Sequence, residues 1–371
     1  MSLHKCKLGE LITQRREKNN DDSLPISGVS KDGLIPPKQQ EADTSLYNMF
    51  YRGDFIFNPA RMELNSIAYN DKYDKAICSS LYEVFYVHRT DLILPEFLAL
   101  IVKQDWFTRY CEFLGQGSAR EYCRFANISE IEIEYPDIDV QKKTVHCYNV
   151  IKRRIELKQQ INDNLEALLL CKYHLLFDND EEKTNCTIGD FGEIISGATP
   201  STSINEYFCD EGIAWLTPKD LTATGKKFIY KGETDISQDA YDSCSTKLLP
   251  IGTVLLTSRA PVGTVGLAMR EVCTNQGFKS IVPNTDIGSA FIYCFLKDNK
   301  SLLDSHASGT TFMEISGNVL KAVPAFIPSK KRLDEFNSYS HTIFQLQNNN
   351  EIEIDMLSSL QQTIISGISS S

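Results

Sequence analysis

The side chains best suited to chemistry in this sequence are hydrogen-bond donors gathered beside glycine and proline. In the second half they form Ser196-Gly-Ala-Thr-Pro-Ser-Thr-Ser203, Thr217-Pro-Lys219, Thr257-Ser-Arg259, Thr274-Asn-Gln-Gly-Phe-Lys279 and Ser308-Gly-Thr-Thr311. The first half has Ser27-Gly-Val-Ser-Lys31, Asn58-Pro-Ala-Arg61, Cys78-Ser-Ser80 and Gln116-Gly-Ser-Ala-Arg-Glu-Tyr-Cys-Arg124. Loop donors of these types bond phosphate oxygens, and the longer ones reach base edges. The candidates for nucleic-acid contact are Lys31, Asn58, Arg61, Arg120 and Arg124, then Thr199, Ser201, Lys219, Ser258, Arg259, Asn275, Gln276, Lys279, Thr310 and Thr311. Arg61 and Arg259 stand at matching points past a strand, where a guanidinium can pair bidentately with guanine or phosphate. The bland alternative for any single Ser or Thr is a turn residue bonding local backbone. Recurrence of the whole set in both halves favours binding.

Catalytic signatures are missing. There is no GxxxxGK[ST], no GxGxxG after a strand, no HExxH and no GxSxG. The nearest match to an amino-methyltransferase tetrapeptide, Asn58-Pro-Ala-Arg61, lacks the second proline and the aromatic. Pro136-Asp-Ile-Asp-Val-Gln-Lys142 imitates a magnesium nuclease strand, but its counterpart Pro328-Ser-Lys-Lys-Arg332 carries no carboxylate. Acids there suit a helix start. The six histidines are isolated, and the eleven cysteines form no CxxC, which argues against zinc sites and a disulfide framework.

The elements that would position these loops repeat. Cys6-Lys-Leu-Gly-Glu-Leu-Ile12 matches Cys186-Thr-Ile-Gly-Asp-Phe-Gly-Glu-Ile194. Gly117 and Pro136 match Gly309 and Pro328 at a period of 192 residues, and a polar helix-prone segment follows each proline. In the second segment a heptad stripe runs through Ile343, Leu346, Asn350, Ile354, Leu357, Leu360 and Ile364. Shifted back by 192, it falls on Ile151, Arg154, Lys158, Asn162, Leu165, Leu168 and Lys172, with Ile155 beside it, and Lys158 faces Asn350 in this register. The spacing predicts two long helices packed on each other. The alternative is two amphipathic helices packed each on its own domain. Strands are expected at Asp54–Phe57, Leu81–Val87, Ile131–Tyr135, Ile213–Leu216, Thr253–Thr257 and Lys279–Val282, giving an α+β fold.

The chain has 371 residues, 42% apolar and 23% charged, an ordinary globular balance. No window suggests a membrane span, and the first residues lack a signal-peptide core. A reduced, cytoplasmic setting is therefore expected. Net charge is −11, with −4 in residues 1–180 (23 basic, 27 acidic). That weighs against DNA binding unless a local basic surface carries it.

Trp215-Leu-Thr-Pro-Lys-Asp220, Leu249-Pro-Ile-Gly-Thr-Val-Leu-Leu-Thr-Ser-Arg-Ala-Pro-Val-Gly263, Thr274-Asn-Gln-Gly277 and Gly309-Thr-Thr-Phe-Met-Glu-Ile-Ser316, in order, resemble the specificity subunit of a type I restriction–modification system. Tyr51-Arg-Gly-Asp-Phe-Ile-Phe-Asn-Pro-Ala-Arg-Met62 and Ser79-Ser-Leu-Tyr82 resemble a second variety of the same domain. The resemblance implies two target-recognition domains, 1–141 and 179–330, each reading half of a split double-stranded DNA site. It implies helices 142–178 and 331–371 forming an antiparallel coiled coil. The helices would dock two methyltransferase subunits, with Ile151, Ile155, Leu165, Leu168, Ile343, Leu346, Leu357 and Leu360 as partner-binding candidates. Two restriction–translocase subunits join where the system restricts. No cofactor is expected on this chain; S-adenosylmethionine belongs to the methyltransferase, and ATP with Mg2+ to a restriction partner. The competing readings are a structural adaptor that binds no DNA and a stand-alone enzyme, the latter opposed by the missing motifs.

Overall fold

The structure is a computed structural model. It describes residues 3–368 apart from 22, 32, 38–42, 116–121, 260 and 310–312. The chain divides into two compact units. One comprises residues 1–155 and 356–371, the other residues 156–355.

In the first unit, short β-branched and aromatic runs form an antiparallel sheet in the order Ile12–Arg15, Glu83–Val87, Phe55–Phe57, Ile67–Tyr69. Phe55, Phe57 and Phe85 bury one face of it against helix Pro95–Ile101, whose Phe97, Leu98 and Ile101 complete the core. Leu3–Lys7 pairs antiparallel with Glu132–Pro136. Arg15 is half-buried: Asp54 holds it at 2.7 and 3.1 Å, between the rings of Tyr51 and Tyr86, each at 4.7 Å.

The second unit has a five-stranded sheet ordered Gly192–Ser196, Lys279–Pro283, Val254–Leu256, Val265–Ala268, Phe228–Ile229. A four-stranded sheet holds Phe208–Cys209, Thr234–Ile236, Ile213–Leu216 and Cys273–Thr274. Thr184–Thr187 pairs antiparallel with Pro324–Ile327. The repeat is visible in these two-stranded pairings. Cys6 faces Ile133, Cys186 faces Ala325, and Ile133 and Ala325 are 192 residues apart. All six expected strand regions contain strands, each within three residues of the expected ends.

Pro136 and Pro328 stand just before the long helices. A proline restricts the preceding residue to extended backbone, which suits a strand-to-helix junction. The helices run Ile138–Phe177 and Lys330–Ile368. Within the second unit they pack antiparallel: Lys172 meets Glu335, Asn162 meets Gln347, and Lys158 meets Asn350. Their lower part joins the aromatic core, with Phe336 5.2 Å from Phe177 and 6.0 Å from Tyr173.

The seam keeps the expected Lys158, Asn162, Ile343 and Asn350 and departs from the expected heptad by one residue at Leu346 and Leu168. On the second helix it runs through Leu333, Phe336, Ser340, Ile343, Gln347 and Asn350, all buried. Leu346 is 48% exposed. On the first helix Leu169, Tyr173 and Leu176 are buried, whereas Leu168 is 53% exposed. The middle of the seam is polar at Lys158, Asn162 and Asn350, which lie on the expected stripe, and at Gln347, which does not.

Candidate nucleic-acid interface

The first unit opens a cleft of about 1410 Å³. Hairpin Gly28–Ser30/Gly33–Ile35 forms one wall, turn 58–66 another, and helix Asp105–Gly115 a third. The turn is built by its sequence. Asn58 caps it by accepting from the Ala60 amide at 3.1 Å, Pro59 starts the helical turn, and Asn65 closes it at φ 51°. Asn is among the few residues that adopt this left-handed conformation readily. The Arg61 carbonyl accepts from the Ser66 amide at 3.3 Å, so the backbone is spent on the turn while the exposed guanidinium lines the cleft. Lys31 and Arg109 line it too. Among the described residues none of these three cations has a side-chain acceptor. Leu64, 58% exposed, and Leu81, 78% exposed, add apolar surface.

In the second unit the donor motifs converge by backbone bonding. The Ala198 amide donates to Thr274 O at 2.9 Å, the Asn275 amide to Leu216 O at 2.9 Å, and the Ser258 amide to Gly277 O at 2.8 Å. Trp215 Nε1 donates to Ala198 O at 3.1 Å. Glycine is required where the loops touch: a Cβ on Gly197 would lie 2.1 Å from Thr274 O, and one on Gly277 2.7 Å from Pro218 Cγ. Thr199 and Gln276 are bonded through their side chains, and Ser201 meets Ser203 at 2.8 Å. Exposed Lys219 pairs with Glu233 at 2.7 Å, and Asn275 Oδ1 accepts from the Gly277 amide at 2.8 Å. Arg259 is half-buried, and its backbone forms an antiparallel β-bridge with that of Glu314.

Several expected contacts are placed elsewhere. Ser258 is fully buried, so its hydroxyl cannot meet a ligand in this structure. Lys279 is 8% exposed and donates to Gln276 O and Phe278 O, each at 3.3 Å. Burial, and then Arg259, push its ammonium down, against Glu314. Its neighbours in the sequence hide this, because the strand starting at Lys279 turns the side chain inward. Arg124 lies 3.8 Å from Glu83 and over the Tyr122 ring, not on the cleft. Arg120, Thr310 and Thr311 lie outside the described residues. Of the partner-binding candidates, Ile343 is buried in the core and Leu165 packs against it. Ile151, Ile155 and Leu357 are half-buried, and Leu168, Leu346 and Leu360 are exposed.

Sequence reasoning missed Arg109. Its signal is the polar run Asp105, Thr108, Arg109, Glu112, spaced for one helix face and lining the cleft together. No helix among the described residues is long and apolar enough to cross a membrane, and no metal-binding cluster occurs among them.

A model of the family described as the type I restriction modification DNA specificity domain matches residues 15–167 and 180–362. The chain is 42% identical over 144 residues to the type I restriction enzyme MjaIX specificity subunit of Methanocaldococcus jannaschii, a match covering 38% of this chain and 33% of that relative. It is 21% identical over 394 aligned positions to the HindI specificity subunit of Haemophilus influenzae, covering 85% of each. In fold it is similar to the crystal structure of a type I restriction–modification S subunit from M. genitalium, with TM-score 0.60, 14% identity, and 99% and 96% of the two chains covered. The two matched segments take in most of the chain and both sets of donor loops, so the chain belongs to the type I restriction modification DNA specificity family, and its role is DNA sequence specificity, recognition and not catalysis.

Proposed function

We propose that this chain reads a double-stranded DNA target in two unlike halves, one by the cleft of the first unit and the other by the loop cluster of the second. The observation that carries this is the cleft, where Lys31, Arg61 and Arg109 stand beside apolar Leu64 and Leu81 and, among the described residues, have no side-chain acceptor. Unpaired cations suit phosphate and guanine, and leucines suit the thymine methyl or a base step. The two sites differ in residues and in strand order, so the half-sites differ.

The long helices set the spacing between halves and dock two methyltransferase subunits that methylate adenine using S-adenosylmethionine. Restriction–translocase subunits using ATP and Mg2+ join where the system restricts, and this chain itself holds no cofactor. An outward stripe on the first helix supports docking: Leu157, Ile161, Leu168 and Leu175 are 43, 47, 53 and 72% exposed. Partners that cover phosphates account for a reader whose own charge is −11. The assembly works in the cytoplasm. The test is methylome sequencing of a host expressing the chain with a type I methyltransferase subunit that assembles with it. One split adenine-methylated motif is expected; no motif, or a single uninterrupted one, contradicts the reading.

A further inference from the structure

The second unit contains a buried charge cluster that the reading loops do not use. Lys227 lies just before strand Phe228–Ile229, and its side chain is 8% exposed. Its ammonium donates to Glu166 of the first long helix and, at 2.8 Å, to Gln347 Oε1 of the second. It lies 4.3 Å from the Tyr293 ring centroid and 4.4 Å from that of Phe344. Glu166 accepts further bonds from Tyr293 Oη at 2.8 Å and Gln347 Nε2 at 3.2 Å. The Lys227 and Phe228 amides donate to Glu351 at 3.1 and 3.2 Å. One ammonium thus joins the sheet-bearing lobe, helix Ser289–Asp298 and both long helices.

An apolar contact tolerates sliding, because burial has no direction. A buried ammonium does not: moving the lobe would strand it without acceptors, at high cost. The rings add a second constraint. The first unit is built differently at the equivalent place. The residue 192 positions before Phe344 is Lys152, which meets Asp71 at 3.4 Å with the side chains 48 and 62% exposed. Lys103 and Tyr148 meet at 3.4 Å, also exposed. Exposed pairs hold weakly and are screened by salt.

We propose that Lys227, with Glu166 and Gln347, is a positioning site that locks the second reading lobe onto the helix pair and thereby sets which spacer between half-sites is accepted. This rests on the split-target reading above. The test measures binding of the chain, purified with its methyltransferase, to duplexes carrying both half-sites and either the selected spacer or one lengthened or shortened by a base pair. The wild type should strongly prefer the selected spacer. Lys227→Met should bind all three comparably. Gln347→Ala, which keeps the Lys227–Glu166 pair, should relax the preference part-way, and it decides the matter should Lys227→Met not fold. Lys152→Ala should keep the wild-type preference. Folded Lys227→Met or Gln347→Ala protein with undiminished discrimination would overturn the proposal, as would equal relaxation in Lys152→Ala. A wild type indifferent to spacer instead defeats the split-target reading itself.

Discussion

Lys158 Nζ donates to Asn350 Oδ1 at 2.9 Å, and the two residues are exact equivalents under the 192-residue repeat. Antiparallel helices bring repeat equivalents together at one point only, and this pair marks it. A polar layer surrounds the point. Asn350 Nδ2 donates to Asn162 Oδ1 at 2.8 Å, Asn162 and Gln347 exchange bonds at 3.1 Å, and Glu353 lies 2.6 Å from Lys158. Polar seam residues fix register at a cost in stability.

Asn350→Leu therefore leaves Asn162 and Lys158 short of a partner, and denaturant unfolding should show a loss of about 1–3 kcal/mol. The triple change Lys158→Leu, Asn162→Leu, Asn350→Leu should recover that loss while permitting shifted pairing. Cysteine cross-linking at neighbouring seam positions would reveal the shift; a single cross-linking pattern would argue that the layer does not set register.

Removing the ammonium of Lys227 takes from the largely buried Glu166 its nearest cation and leaves only Lys297, 3.8 Å away. Lys227→Met should cost about 3–5 kcal/mol, the range for a buried pair that loses one partner. A loss below about 1 kcal/mol, the range of exposed pairs, would show the cluster to be less buried than the structure has it.

Acid acts on the same cluster. Burial tends to raise the Glu166 carboxyl, but Lys227, Tyr293 and Gln347 outweigh it and hold the group below its ordinary 4.5. A depressed folded value means stabilisation present above pH 4.5 and lost as pH falls through the folded value. Burial moves Glu351 the other way, so the clean comparison is with Glu166→Gln. The variant should melt below the wild type near neutrality, with the gap closing under pH 4.5. A constant gap would contradict the ion-pair account.

Much of this was legible in the sequence, and the misses share a cause. The 192-residue shift predicted the Lys158–Asn350 pairing, because duplication leaves a trace that packing does not erase. The seam departs from the expected stripe at Leu168 and Leu346 because leucines mark a core only where the neighbouring surface is apolar. Gln347 takes the buried place since Lys227 needs an acceptor there. Ser258 and Lys279 look like binding residues by type and neighbourhood, yet each lies in a run buried on both faces, 253–258 and 277–281. Arg109 carries no such flag in the sequence, because it lies within a helix and not beside a glycine or proline.

That contrast gives a further prediction. Ser258→Ala should leave DNA binding unchanged, since its buried hydroxyl has no hydrogen-bond partner among the described residues. Arg109→Ala should weaken binding and lower the slope of log affinity against log salt by about 0.9, one phosphate's worth. Salt titrations of both variants check the pair; the opposite ranking would move the interface away from the cleft.

The most direct measurement is selection of bound duplexes from a random library by wild-type and Arg61→Ala complexes, each with its methyltransferase. Two unlike half-sites at a constant separation should emerge for the wild type, with one half alone blurred in Arg61→Ala. An unaltered motif in the variant, or a wild-type motif without an internal gap, would contradict a reader built from two separate grips.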